Sequence, residues 1–258
     1  MRTVAVVLAG GAGLRIGGTA PKQLQLLAGR TLLERSVAAF DQAPGVDDVV
    51  VVMAADFVSV ASEILGSRYG KVSAIIAGGA DRPGSTRRAI DLLSQAQLGR
   101  SADQAAEQAA DQGADQVSEL DCNVLFHDAA RPLVDQRIIA DCVAGLATCQ
   151  ALGVVVPTAD TIVELAGGVM TSIPPRESLG RCQTPQGFRL SVIRRAHQLA
   201  AADPGAGAFS ATDDCGIVLR YLPEIEVRAV PGSERNLKIT YPADLRIAES
   251  LIAADQGP

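Results

Sequence analysis

Apolar positions along this chain fall in short unbroken runs, separated by stretches whose apolar residues recur at helical spacing. Val4–Leu8 reads as a strand, and Leu32, Leu33, Ser36, Val37 and Phe40 predict a helix over Thr31–Phe40. Asp48–Met53 is a second apolar run, Phe57–Leu65 a helix, Val72–Ala77 a third strand and Ser85–Leu93 a helix. Asn123–His127 continues the series as a strand ending at Asp128, followed by a helix over Arg137–Thr148 and a strand over Gly153–Pro157. This alternation predicts an α/β fold: a doubly wound, mainly parallel sheet covered on both faces. One domain over 1–252 is expected, with a frayed tail at 253–258. Ser94–Asp121 breaks the pattern. It is rich in Ala, Gln and Asp and reads as a surface excursion, either an exposed helix or a disordered insertion. Residues 203–211 read as a mobile loop.

The first strand runs directly into Ala9-Gly10-Gly11-Ala12-Gly13-Leu14-Arg15, with Pro21-Lys22-Gln23 beyond. Glycines let the backbone turn sharply and approach a ligand closely. Backbone N–H groups and a helix start can then face phosphate oxygens. Arg15 and Lys22 add a forked and a mobile cation. The dinucleotide fingerprint fails here, because Ile16 stands where its third glycine belongs; the P-loop fails because Lys22 lies between Pro21 and Gln23. A triphosphate fits better, which makes nucleotidyl transfer the first hypothesis. A plain strand-to-helix turn without a ligand is the alternative.

Composition narrows the partners. Net charge is −6 and the sequence pI is near 5.0, so the overall field repels nucleic acid and acidic membrane surfaces. Aromatic residues are 3% with no Trp, which leaves no stacking platform for single strands. An anionic substrate must therefore be held by locally placed cations. No apolar run is long enough for a membrane span, and the start of the chain has no signal-peptide layout. Five cysteines without metal-type pairing read as buried reduced thiols of a cytoplasmic protein.

Four further segments carry polar groups a core does not need. Gly78-Gly79-Ala80-Asp81-Arg82-Pro83-Gly84-Ser85 follows a strand and opens a helix, with Ser85 placed to cap the helix or touch a ligand. In His127-Asp128-Ala129-Ala130-Arg131-Pro132, Asp128 sits at a strand end, suited to a hydrated Mg²⁺ or a substrate hydroxyl, or else to a structural pair with Arg131. His127 reads as a packed histidine rather than a base. Asp160-Thr161 is followed by Arg176 and by Gln183-Thr184-Pro185-Gln186-Gly187-Phe188. Last come Thr212-Asp213-Asp214 and Asn236-Leu237-Lys238-Ile239-Thr240. The segments at 9–15, 78–85 and 128–131 each follow a strand end, where ligands of such sheets bind.

These motifs, in this order over roughly 3–252, resemble the cytidylyltransferases that act on polyol phosphates. The resemblance implies a Rossmann-like fold of the nucleotide-diphospho-sugar transferase type. It implies that CTP and a polyol phosphate give a CDP-polyol and pyrophosphate, with Mg²⁺ bridging phosphate oxygens. One branch of the family uses 2-C-methyl-D-erythritol 4-phosphate in isoprenoid precursor synthesis, the other D-ribitol 5-phosphate for wall or capsule polymers. By this resemblance Arg15 and Lys22 are the catalytic cations, and Ala9, Gly10, Gly11 and Gly13 line the triphosphate. Gly79, Arg82 and Ser85 surround cytosine and ribose, with Ala129 also on the nucleotide side. Asp128, Arg131, Thr161, Arg176 and Lys238 face the acceptor, and Asp128 is also the candidate metal ligand, directly or through water. The stretch at 157–178 corresponds to a protruding arm that embraces a second subunit, which implies a homodimer whose Thr161 and Arg176 complete the neighbour's site.

Some residues depart from the pattern. Gly10, Val163, Ile173 and Cys215 lean towards the ribitol branch, while the segments at 127–132 and 183–188 lean towards the erythritol branch. Methylerythritol phosphate is placed first and ribitol phosphate second. A nucleotidyltransferase for another base and a non-catalytic nucleotide-binding protein on the same fold are the remaining alternatives.

Overall fold

The computed structural model describes residues 1–10, 21–108, 121–204 and 213–255, with the side chains of 97–108 excepted. Strand β1 (Thr3–Ala9) is followed by a small hairpin, β2 (Leu26–Leu27) and β3 (Arg30–Thr31), and then by α1 (Leu32–Asp41). The chain continues through β4 (Asp48–Met53), α2 (Val58–Leu65), β5 (Val72–Ala77) and α3 (Arg82–Gln108). Next come β6 (Asn123–Asp128), α4 (Gln136–Gly145) and β7 (Ala151–Pro157). A second hairpin, β8 (Glu164–Ala166) and β9 (Val169–Ser172), precedes β10 (Gly180–Arg189), α5 (Leu190–Ala202), α6 (Asp214–Tyr221), β11 (Val227–Pro231) and α7 (Pro242–Asp255).

Seven strands form the central sheet in the order β11-β7-β10-β6-β1-β4-β5. All neighbours run parallel except β10, which is antiparallel to both β6 and β7. β1 lies inside the sheet and is buried along its whole length, as a parallel strand covered on both faces must be. Alternate residues of the strands feed two cores. Ala5, Val7, Val49, Val51 and Leu125 pack with α1 and α4, whereas Val4, Val6, Val50, Val124 and Phe126 pack with α3, α5 and α6.

Local signals explain the element ends. Thr31 caps α1 in a reciprocal box: its hydroxyl accepts the Glu34 N–H, and the Glu34 carboxylate accepts the Thr31 N–H. Asp135 caps α4 through the Ile138 N–H, and Asp213 caps α6 through the Gly216 N–H.

The expected elements at 4–8, 31–40, 48–53, 57–65, 72–77 and 123–128 appear within a residue or two of their expected bounds. Three differ more. α3 starts at Arg82 and continues to Gln108, so the expected excursion begins as an extension of a helix; residues 109–120 lie outside the described residues. α4 stops at Gly145 instead of Thr148. α7 runs to Asp255, so half of the expected tail is helical, and 256–258 lie outside the described residues. Most of the expected loop at 203–211 also lies outside them.

Candidate active site

Three loops leave the carboxyl ends of β1, β5 and β6 on the same edge of the sheet. The β1 and β5 loops touch: a side chain at Gly10 would stand 3.1 Å from the Ser85 hydroxyl and 3.9 Å from the Gly78 Cα. Gly79 faces a harder limit. A Cβ there would lie 2.5 Å from the Gly84 carbonyl carbon, so the turn into α3 closes only with glycine. Asp81 Oδ1 accepts the Gly84 N–H at 2.7 Å. Ser85 is buried and its hydroxyl is used twice, accepting from the Gly79 N–H at 3.1 Å and donating to the Asp81 carbonyl at 2.9 Å. Asp81 therefore caps this helix, while Ser85 fastens the turn.

At the end of β6, Asp128 lies between two cations. Arg82 Nε donates to its Oδ1 at 3.3 Å and Lys238 Nζ to its Oδ2 at 2.7 Å. Arg82 reaches on to Asp214 Oδ2 at 2.8 Å, and His197 Nε2 lies 3.3 Å from Asp214 Oδ1. Charges thus alternate along Lys238, Asp128, Arg82 and Asp214. Burial alone would raise the Asp128 carboxyl, but the Arg82 and Lys238 charges outweigh it and hold the group well below the usual carboxylate range. Asp214, fully buried, is likewise held down by Arg82 and His197 against its own desolvation. Desolvation is also overcome at Arg82, whose guanidinium is held charged by the two carboxylates.

Arg131 is not the partner of the Asp128 side chain, which corrects that alternative. Its guanidinium donates to the carbonyls of Asn236 at 2.7 Å and Cys182 at 3.3 Å, tying the β6 loop to β10 and to the segment before α7. Ala129 is buried, and its N–H donates to the Leu8 carbonyl at 3.0 Å. His127 is buried against Phe40, ring centroids 5.0 Å apart, and burial pushes its imidazole down to about 4 despite the adjacent Asp128 charge. It is the packed histidine expected from the sequence.

Lys22 opens a short 3-10 turn, and its Nζ donates to the Ile239 carbonyl at 2.7 Å, next to Lys238. The catalytic candidate Arg15 and the triphosphate candidates Gly11 and Gly13 lie outside the described residues; Ala9 is buried at the end of β1. Thr161 and Arg176 meet each other, Arg176 Nη2 donating to Thr161 Oγ1 at 3.1 Å. Both are exposed on the segment carrying β8 and β9, and no described contact joins them to Asp128 or Lys238. Cys182 is exposed, which corrects the expectation that all five thiols are buried.

Sequence reasoning singles out Thr212-Asp213-Asp214 but gives Asp214 no role. One of two adjacent acids at a helix start caps the helix, and the other is free to turn inward. That signal is present in the sequence. Thr184 and Asn236 are missed individually: the Asn236 amide donates to Gln183 Oε1 at 3.2 Å and to the Thr184 carbonyl at 2.8 Å.

Among the described residues no three His, Cys, Asp or Glu side chains gather to hold a metal ion. Both oxygens of Asp128 are already engaged by cations, so direct ligation would displace Arg82 or Lys238. Asp128 does not fit as a direct metal ligand. Two buried donors, Arg82 Nη2 and Arg131 Nε, have no hydrogen-bond partner among the described residues. A buried donor left unsatisfied is costly, and the remaining guanidinium hydrogen bonds of both arginines offset that cost.

A doubly wound sheet with cations gathered around a strand-end carboxylate defines this chain as an α/β protein of the nucleotidyltransferase kind. The model of the 2-C-methyl-D-erythritol 4-phosphate cytidylyltransferase family matches residues 3–105 and 104–254, and the chain belongs to that family. The enzyme of that name from Thermobifida fusca is 49% identical, with 97% of this chain and 93% of the relative covered. Its counterpart in Cereibacter sphaeroides is 37% identical over the full length of both. A bifunctional ribulose 5-phosphate reductase/CDP-ribitol pyrophosphorylase from Haemophilus influenzae is 34% identical, over 97% of this chain but 48% of its own length. Among solved structures, the 2-C-methyl-D-erythritol 4-phosphate cytidylyltransferase of Thermus thermophilus aligns with a TM-score of 0.67 at 27% identity, covering 98% of this chain and 100% of that one. The 4-diphosphocytidyl-2C-methyl-D-erythritol synthase of Anaerococcus prevotii aligns over 98% of both chains with a TM-score of 0.76 at 22% identity, which supports the fold. No helix among the described residues is long and apolar enough to cross a membrane.

Proposed function

We propose that this chain transfers the cytidylyl group of CTP to 2-C-methyl-D-erythritol 4-phosphate, releasing pyrophosphate. The observation that carries the reading is the joining of Arg82, Asp128 and Lys238 at the β6 end, on a chain of this family, with Lys22 bonded to the residue after Lys238. An oxygen of the acceptor phosphate attacks the α-phosphorus in line; that P–O bond forms as the bond to pyrophosphate breaks. No covalent enzyme intermediate is needed, so positioning and charge stabilisation do most of the work.

Each residue then has a part. Lys22, with Arg15, meets the charge developing on the α-phosphoryl group and the leaving pyrophosphate. Ala9 and Gly10, with Gly11 and Gly13, form the turn around the triphosphate. Gly79 and Ser85 shape the wall beside the cytosine and ribose, and Ala129 closes its floor. Arg82, anchored on Asp214, fixes Asp128 beside the nucleotide. Lys238 and Arg131 meet the acceptor. Thr161 and Arg176 complete the phosphate site of a second copy, in a homodimer formed through the arm at 157–178. Mg²⁺, when bound, would neutralise charge on the nucleotide phosphates, with Asp128 placed to hold it through water. Five free cysteines agree with a cytoplasmic setting.

The crowding at Gly10 bears on the acceptor. A side chain there would need the Ser85 hydroxyl to give by a few tenths of an ångström, so close packing is a second reason for glycine beside its leaning towards the ribitol branch. The test is pyrophosphate release with CTP and Mg²⁺, comparing methylerythritol phosphate with ribitol phosphate. A higher kcat/KM for methylerythritol phosphate is expected; preference for ribitol phosphate, or CTP consumption without either, overturns the reading.

A further inference from the structure

Asp128 and Arg131 flank a tight turn, and each must present a side chain in a different direction. What fixes that turn lies behind it. The Asp128 N–H donates to Thr184 Oγ1 at 3.1 Å. Thr184 Oγ1 lies 3.1 Å from His127 Nδ1, and His127 Nε2 lies 3.1 Å from the Arg131 carbonyl. All three contacts sit at the junction of β6 and β10, where His127 and Thr184 are both buried.

The contacts of Nε2 with the Arg131 carbonyl and of Nδ1 with the Thr184 hydroxyl point to one assignment. A carbonyl oxygen can only accept, so Nε2 carries a proton and donates to Arg131. In the neutral ring Nδ1 is then an acceptor, and the single Thr184 hydroxyl proton must point to it. The Thr184 oxygen keeps a lone pair for the Asp128 N–H. The result is a one-way relay of hydrogen bonds from the Asp128 amide, through Thr184 and His127, to the Arg131 carbonyl. It closes a ring around the turn, and it locks that turn to β10 as well as to β6.

We propose that His127, as the Nε2–H tautomer, and Thr184 are positioning residues for the proposed cytidylyl transfer. They set the spacing between Asp128, which Lys238 and Arg82 grip, and Arg131, whose guanidinium holds the Asn236 and Cys182 carbonyls. Neither touches the reacting atoms. This rests on the cytidylyltransferase reading above, and it adds residues to which that reading gave no part. The Thr184 methyl and the Phe40 contact are packing features; the hydroxyl and the ring nitrogens are what the relay uses.

The relay separates hydroxyl from shape at one position. Thr184→Val keeps the volume and removes the hydroxyl proton; Thr184→Ser restores it. Misplacement of a catalytic group by about an ångström costs on the order of a hundredfold, so Thr184→Val should lower kcat by about ten- to a hundredfold. KM for CTP should stay near the wild-type value. Thr184→Ser should recover most of kcat. A purely structural hydroxyl would lower stability in Thr184→Val and leave kcat of the folded fraction unchanged, which would overturn the proposal. Should Thr184→Val fail to fold, His127→Gln, which keeps a donor towards Arg131, is expected to lose kcat in the same way. The ring itself is read without any substrate. The chain has two histidines, so ¹⁵N imidazole spectra of wild type and a His197 variant assign His127 directly. A protonated Nε2 with bare Nδ1 is expected. A proton on Nδ1 overturns the relay even if the enzyme is active. Wild-type protein that does not turn over CTP overturns the cytidylyltransferase reading, and with it the kinetic part of the proposal, whatever the tautomer.

Discussion

The ionic knot at the end of β6 and the arm carrying β8 and β9 are built on opposite terms. In the knot, Arg82, Asp128 and Asp214 are drawn from three distant parts of the chain and are largely shielded from water, each facing opposite charge. In the arm, the residues from β8 to β9 are exposed, and the two strands pair only with each other. Its large apolar side chains, Ile162, Leu165, Val169, Met170 and Ile173, face solvent. A lone two-stranded hairpin is marginal in water, and a contiguous apolar face on it needs cover. The knot finds all its partners within one chain; the arm's apolar face has no cover among the described residues. Residues assigned to one acceptor phosphate, Lys238 on the knot and Arg176 on the arm, are therefore divided between a finished and an unfinished surface.

The largest expected effect is on turnover. Lys22→Ala and Arg15→Ala should each lower kcat by at least about a hundredfold, because charge stabilisation at a preorganised site is lost. Near-normal turnover in both would remove the triphosphate role from the glycine turn. Next is Asp214→Asn. It leaves Arg82 buried without one of its counter-charges, and breaking such a pair costs roughly 3–5 kcal/mol, read as a lower denaturation midpoint. An unchanged midpoint would mean that the alternating charges contribute little to the fold.

Acid should destabilise the fold in a set order, first behind the knot and then within it. His127 has a folded pKa of about 4, below its unfolded value near 6.5, so between these values the unfolded chain binds the extra proton. Stability therefore rises with pH through that window and falls by up to about 3 kcal/mol as pH drops from 6.5 to 4. Asp128 and Asp214, both held low, add stability that is present above the unfolded carboxylate range and is lost as pH falls further. The check is the unfolding free energy measured from about pH 7 down to about pH 4, with Thr184→Val as a comparison. A flat profile would remove burial of a neutral His127 from the account.

The smallest effect on the fold, and the sharpest on assembly, belongs to the arm. Leu165→Glu with Met170→Glu should leave the melting of the central domain nearly unchanged while shifting the protein from dimer to monomer by light scattering. A wild-type monomer would break the comparison.

The contrast also explains what the sequence made legible. β4 is readable to the residue because its interior, Val49–Met53, is an unbroken apolar run buried on both faces. β10 is not readable as a strand. Gln183, Thr184 and Gln186 are buried there, and their polarity is matched by bonds from Asn236, to His127 and to the start of α6. Hydropathy cannot see a strand whose polar groups are satisfied only in the folded state. Asp128 is legible as chemistry at a strand end, whereas Lys238, between β11 and α7, is legible only through the family resemblance. Their pairing is not, since Asp128 and Lys238 are 110 positions apart and nothing local selects Lys238 over Arg131. The inward turn of Asp214 needs the structure as well, although the helix start that places it is visible.

Subunit complementation tests the divided site most directly. Asp128→Asn damages the knot, Arg176→Ala damages the arm, and each alone should be nearly inactive with CTP and methylerythritol phosphate. Refolded together in equal amounts, they should regain about a quarter of wild-type pyrophosphate release, because about half the dimers are mixed and each mixed dimer holds one intact site of two. Activity no higher than the average of the two variants, in a mixture shown to contain mixed dimers, would contradict a site built from the knot of one chain and the arm of the other.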